Sequence, residues 1–207
     1  MTPSTLSTLL RVIRTVAVVL AVLAGLALVV HAGLKKPSTS SAGPALGGAF
    51  SLTGSSGRTV TDKDFLGKPM LVYFGYSYCP DVCPFTLQLM AAALDRLGPD
   101  KSRITPVFIS VDPQRDTPQV LAQYIRSPGF PENLVGLTGT PTQIADIARK
   151  YAVYYKKAGA GDDYLVDHTS AIFLMDAHGK YAAVFTHRSS VDDIAKCLRR
   201  HLDGKKC

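Results

Sequence analysis

The sequence predicts a mixed α/β domain held behind one membrane-spanning helix, and three observations carry that expectation. Residues 15–34 contain no Asp, Glu, Lys or Arg. Further on, apolar runs with strand character alternate with helix-length segments, and a β-hairpin with one last helix ends the chain. At 207 residues, 46% of them apolar, there is material for one ordinary domain with a real core. The formal charge of +7 does not point to nucleic acid. Four of the 23 basic residues, Arg11, Arg14, Lys35 and Lys36, flank the uncharged stretch and leave 19 against 16 acidic ones. The remainder shows no basic run interleaved with aromatics.

As a helix, residues 15–34 reach about 30 Å, the thickness of a bilayer's hydrocarbon core. Basic residues flank both ends, so orientation rests on the short leader ahead and the globular domain behind. That layout is a signal anchor with residues 1–14 in the cytoplasm and the domain exported. A cleaved signal peptide is the rival reading, with Val30-His31-Ala32 near the cut, but the apolar run is long for one. Residues 35–48, rich in Pro, Ser, Gly and Ala, read as a flexible linker, and residues 49–207 as the folded domain. The short leader favours a bacterial inner membrane with the domain in the periplasm over a mitochondrial inner membrane.

The domain's elements follow in order. Residues 50–65 read as a short hairpin, 50–53 turning through Gly54-Ser55-Ser56-Gly57 into 59–61. Residues 70–74 form a nearly continuous apolar run, the pattern of a strand buried on both faces. A helix is expected over 84–97, with Pro84 in its first turn and Gly98-Pro99 beyond its end. A second buried strand covers 104–111. Helices are expected over 117–126 and 141–151, with a short strand over 153–156. Residues 158–169 read as loop. Residues 171–175 and 181–185 make a hairpin around Asp176-Ala177-His178-Gly179, and a final helix starts at Ser190 with a Ser-x-x-Asp box to Asp193. A βαβ core with such an ending is what a thioredoxin-like fold shows.

Chemistry concentrates at Cys79-Pro80-Asp81-Val82-Cys83-Pro84, between a buried strand and a helix start. Backbone N–H groups and the helix dipole there favour thiolate over thiol, which suits both nucleophilic attack and metal ligation. A spacing of four also permits a disulfide, so a structural bridge is the plainer alternative, though one spanning so few residues restrains little chain. Two thiolates leave a metal incompletely ligated. Of five histidines, His31 lies in the anchor, His178 in a turn and His201 on a basic helix; His187 ends a strand as an outside candidate. His168, in the loop before residue 171, is more often the kind of histidine that sits on a surface.

Resemblance changes that weighting. Tyr73-Phe74-Gly75-Tyr76, Cys79 through Pro84, Val111-Asp112-Pro113-Gln114-Arg115-Asp116-Thr117-Pro118 and Asp167-His168-Thr169 occur in the order found in the Sco/SenC family, which this chain resembles from residue 50 to about 202. The family comprises thioredoxin-fold copper proteins that help assemble the binuclear copper (CuA) site of cytochrome c oxidase. The resemblance implies copper, as Cu(I) or Cu(II), on Cys79, Cys83 and His168. It also implies cytochrome c oxidase subunit II, and a second periplasmic copper chaperone, as partners. Soft thiolates suit Cu(I) and an added imidazole suits Cu(II). Zinc competes for such donors, but structural zinc takes four.

Asp167 points away from His168 in an extended segment, and Asp81 reads as a helix cap. Arg115 and Asp116 are expected to pin the turn between strand and helix, and Tyr151, Tyr154 and Tyr155 to pack along strands and edges. Cys197 and Cys207 read most plainly as a second disulfide. The alternative function is a thiol–disulfide oxidoreductase, with Cys79 and Cys83 as the redox pair, keeping the oxidase cysteines reduced. Against a general one, the spacing is Cys-x₃-Cys and no proline precedes Ala171 where thioredoxins place a cis-proline. A peroxiredoxin-type peroxidase is discounted, because neither cysteine follows a Thr or Ser three residues back.

Overall fold

The computed structural model describes residues 14, 16–17, 20–26, 46–186 and 188–207. The chain divides into two compact units, Met1–Gly43 and Pro44–Cys207. In the first, the described residues are helical and exposed. Among the described residues no helix is long and apolar enough to cross a membrane. Most of the expected anchor (15–34) and linker (35–48) lies outside the described residues, as do His31 and His187.

The second unit is built on a seven-stranded sheet. Its strands are β1 (Ser51–Gly54), β2 (Thr59–Thr61), β3 (Met70–Gly75), β4 (Thr105–Ser110), β5 (Val135–Thr138), β8 (Ile172–Met175) and β9 (Tyr181–Phe185), in the order β2-β1-β5-β4-β3-β8-β9. β3, β4 and β5 run parallel, and β8 lies antiparallel on β3. Strands β6 (Tyr155–Ala158) and β7 (Leu165–His168) form a separate antiparallel ribbon. Helices are α1 (Val82–Asp95), α2 (Pro118–Tyr124), α3 (Pro141–Lys150) and α4 (Val191–Leu202), and α1 packs on α4.

The central strands carry unbroken apolar runs because both faces are covered: every residue of β3 and β8 is buried. Successive residues of β3 feed opposite faces. Phe74 packs with Phe173 and Tyr151 on one; Tyr73 packs with Phe108 on the other. Tyr151 is thus core and not edge, while Tyr154 is exposed. The terminal helix starts as its sequence dictates, with Ser190 and Asp193 closing a reciprocal capping box.

Four expectations need correction. α1 begins at Val82, two residues before Pro84, so that Pro84 occupies the third helical position, where a missing N–H is still harmless. Asp81 precedes the helix, yet its side chain makes no capping bond. The sulfur of Cys79 stands in, accepting from the Cys83 N–H at 3.4 Å. β5 escaped notice because Val135-Gly136-Leu137-Thr138 is short and interrupted by glycine; it gains its strand character from pairing with β4 and β1. Finally, His168 ends a strand rather than sitting in a loop, paired with Tyr155 across the β6–β7 ribbon.

Candidate metal centre

Three elements converge on one spot. β3 ends at Gly75, and Tyr76 through Pro80 loop over its edge into α1, placing Cys79 and Cys83 at the helix mouth. The β6–β7 ribbon brings in His168. One ligand atom each from Cys79, Cys83 and His168 falls within a 4.8 Å span, and both cysteines are free and buried. Cys83 Sγ lies 3.3 Å from His168 Nε2, across 85 residues of sequence.

The histidine's tautomer follows from its other nitrogen. Nδ1 lies 3.2 Å from the Thr169 carbonyl oxygen, which can only accept, so Nδ1 carries the proton and Nε2 turns a lone pair toward the sulfurs. The Tyr73 and Tyr76 rings flank the imidazole in T-shaped pairs, with ring centroids 6.1 and 5.9 Å away. Asp167, facing the opposite way, is exposed.

The two thiols are unequal. Cys79 is pulled down to about 3: the Cys83 side chain is the largest cause, the backbone N–H groups of Asp81 and Cys83 add to it, and burial opposes. Cys83 is pushed far up, first by its own burial and then by the neighbouring Cys79 sulfur. The first proton to leave the pair therefore leaves Cys79.

Around this centre the segment 111–118 acts as a brace on both sides. The buried carboxylate of Asp116 accepts from the Ser110 hydroxyl at 2.5 Å and the Ser77 backbone N–H at 3.0 Å, and also from the Ser77 hydroxyl. It so ties the cysteine loop to the end of β4. Burial raises the Asp116 carboxyl, and the three hydrogen bonds oppose that shift. Arg115 Nε bonds Asp112 Oδ2 at 2.5 Å, and its guanidinium lies 3.6 Å from the Tyr164 ring centroid and 4.7 Å from that of Tyr78. Tyr164 donates its hydroxyl to Asp112 at 2.7 Å, and burial and that bond push its phenol up to about 12. Tyr164 immediately precedes β7, so the brace also fixes the approach to His168. Arg115 and Asp116 do pin the turn, and through it the site.

Sequence reasoning missed Tyr73 and Gly75 as site residues. Tyr73 bonds Cys83 Sγ through its hydroxyl at 3.6 Å. A Cβ on Gly75 would meet Cys83 Sγ at 2.8 Å, so glycine is what lets the sulfur seat against the strand. Period-two alternation along β3 was the available signal: it puts Tyr73 and Gly75 on one face. His178 is exposed and His201 half-buried, and neither joins the cluster. Cys197 and Cys207 form the disulfide expected of them.

A thioredoxin-like α/β domain with a Cys–Cys–His group is a protein built to present two soft sulfurs and one imidazole, a donor set suited to copper. Among the described residues no fourth His, Cys, Asp or Glu donor completes the tetrahedral set that structural zinc prefers. The chain belongs to the SCO1/SenC family, whose model matches residues 38–203. It is 45% identical over 172 residues to Protein SenC of Rhodobacter capsulatus, covering 82% of this chain and 76% of that one. To the mitochondrial SCO1 homolog of Homo sapiens it is 41% identical over 166 residues, covering 77% of this chain and 54% of that one. The match takes in 63% of the length of Schizosaccharomyces pombe sco1, so several of these relatives are considerably longer. The fold is similar to that of Arabidopsis thaliana ScoI with copper bound: TM-score 0.72, 39% identity, 77% of this chain and 99% of that one covered.

Proposed function

We propose that this chain binds copper through the thiolates of Cys79 and Cys83 and Nε2 of His168, and that it serves as a copper chaperone for the CuA site of cytochrome c oxidase. The observation that carries the reading is the 3.3 Å approach of His168 Nε2 to Cys83 Sγ, across 85 residues of sequence. Copper-bound structures of similar proteins and the linkage of the family to oxidase assembly support it. Copper is here the cargo. The chain's part is to offer it two sulfurs of different exposure to protons and one imidazole of fixed tautomer, on a scaffold braced by Asp112, Arg115 and Asp116. Subunit II of the oxidase is the proposed acceptor and another periplasmic copper chaperone a proposed donor.

The decisive experiment is copper titration of the reduced chain with absorption spectroscopy. Sulfur-to-Cu(II) charge-transfer bands at one copper per chain are expected; their absence, or unchanged binding by the Cys79–Cys83 disulfide form, would sink the assignment.

A second reading has its own observation. The low-lying Cys79 thiolate beside a protonated Cys83 is also the arrangement of a thiol–disulfide reductant acting on the oxidase's copper-binding cysteines. Oxidase assembly under copper limitation in cells carrying His168→Ala separates the two. Full assembly at normal protein abundance favours the reductase; failure with intact thiol cycling favours the chaperone.

Residues 15–34 are proposed as a retained anchor that holds the domain on the periplasmic side of a bacterial inner membrane. N-terminal sequencing of membrane-extracted protein tests this, and a mature start at Gly33 would overturn it.

A further inference from the structure

Tyr73 is entirely buried, yet its polar end meets neither backbone nor solvent. The hydroxyl stops 3.6 Å from Cys83 Sγ. Its ring is held by Phe108, with centroids 6.2 Å apart, and by the His168 ring at 6.1 Å, which keeps the phenol oxygen beside the sulfur, with the Thr86 side chain as its other polar neighbour. Gly75, on the same face of β3, leaves the space into which Cys83 Sγ settles against Tyr73. A hydroxyl delivered to one sulfur of a dithiol by a central strand is a deliberate placement, because a buried O–H without a partner would be costly.

We propose that Tyr73 is a positioning residue that controls electron donation by Cys83, biasing the centre toward Cu(I) and the metal-free pair toward its reduced form. The copper half of this rests on the ligand assignment proposed above. A thiolate or metal-bound sulfur has no proton, so the phenol can only donate to it. An O–H donor draws electron density from the sulfur, which makes it a weaker donor and favours the lower charge on the metal. The same bond stabilises a thiol or thiolate more than a disulfide sulfur, a poor acceptor.

The test is Tyr73→Phe in the full chain, which removes one oxygen and keeps the ring. With copper bound, the sulfur-to-Cu(II) band is expected at longer wavelength and the Cu(II)/Cu(I) potential lower. The ratio of Cu(II) to Cu(I) affinity is expected to rise about tenfold, the scale of one hydrogen bond to a charged group. Without copper, equilibration against glutathione is expected to shift toward the disulfide. Tyr124→Phe is the control, since it strips a buried hydroxyl that has no partner and should move none of these. Tyrosine replaced by 3-fluorotyrosine, a stronger donor, gives a second arm in which the potential should rise, and it serves if Tyr73→Phe does not fold. An unchanged band and potential in folded Tyr73→Phe overturns the proposal. If the wild-type chain shows no sulfur-to-copper band, the ligand assignment fails by itself, and the glutathione equilibrium still decides the role of Tyr73: no shift overturns it.

Discussion

Cys79 and Cys83 sit four residues apart where β3 gives way to α1, and Cys197 and Cys207 sit ten apart where α4 gives way to the tail. The first pair lies at a helix start, among unpaired N–H groups and the positive end of the helix dipole, with a histidine opposite. The second ties the middle of α4 to the tail beyond it: Cys207 is bonded to Cys197, and the tail folds back so that Lys205 N–H reaches the Arg200 carbonyl. A sulfur can be held as a thiolate in the first setting. In the second each sulfur faces the other, and the two are joined. Chemistry is decided by what faces the sulfur, and spacing alone does not distinguish ligand from staple.

The largest expected effect breaks that contrast outright. Cys83→Ser should weaken Cu(I) binding by more than the 10–100-fold typical of losing an outer partner of a ligand, whereas Cys197→Ser should leave affinity unchanged. Competition titration of both variants checks it, and equal losses would erase the distinction between the pairs.

Next comes His168→Ala, expected to lower Cu(II) affinity roughly 100-fold and Cu(I) affinity less, because the borderline nitrogen matters more to the divalent ion. Dithiol–disulfide cycling should survive, since thiolate character there depends chiefly on Cys83 and the helix start. Redox titration followed by alkylation measures it.

Cys207→Ser should leave copper binding intact and cost stability. Opening a loop with a sequence separation of 10 is worth about 2.5 kcal/mol in the chain-entropy model, or roughly 5–10 °C in Tm for a domain of this size. A calorimetric scan showing no change would mean that the tail contributes nothing when tied down.

The subtlest prediction concerns pH. A Cys79 value near 3 in the folded chain, against about 8.5 in an unfolded one, contributes stability that is complete above about 8.5 and is lost as pH falls through 3. Cys83 shifts upward, so below about 8.5 it is protonated in both states and adds no pH dependence. Iodoacetamide labelling of Cys79, mapped by mass, should accordingly be nearly flat from pH 5 to 8. A rate that climbs tenfold per unit toward pH 8 would show an ordinary thiol.

How far the sequence alone reached can be seen at individual residues. The buried runs of β3 and β4 and the capping box at Ser190 were legible because each is a local pattern: continuous apolarity, or a hydroxyl and a carboxylate three residues apart. The start of α1 is not legible to the residue: Pro84 suggests a first position, whereas the helix begins two residues earlier, with Cys83 N–H meeting Cys79 Sγ. The ribbon that carries His168 resembles loop in the sequence because Lys156, Lys157 and Asp167 are polar and exposed. Its pairing, Tyr155 to His168 and Lys156 to Asp167, is satisfied by backbone bonds that leave little trace in side-chain pattern.

The sequence dictates that Cys79 and Cys83 stand at a helix mouth, because a buried strand, a short turn and a proline in the first helical turn permit little else. It also determined the core, through the residues of β3, β4 and β8 that have nowhere to go but inside. The folded arrangement settles which histidine faces the sulfurs, which nitrogen it presents, and that Tyr73 reaches Cys83 through the gap at Gly75. It alone showed Asp112, Arg115 and Asp116 bracing the cysteine loop and the histidine ribbon together. These are contacts across dozens of residues. Their free energy lies in packing and hydrogen bonds made between elements, and no periodicity within an element encodes them.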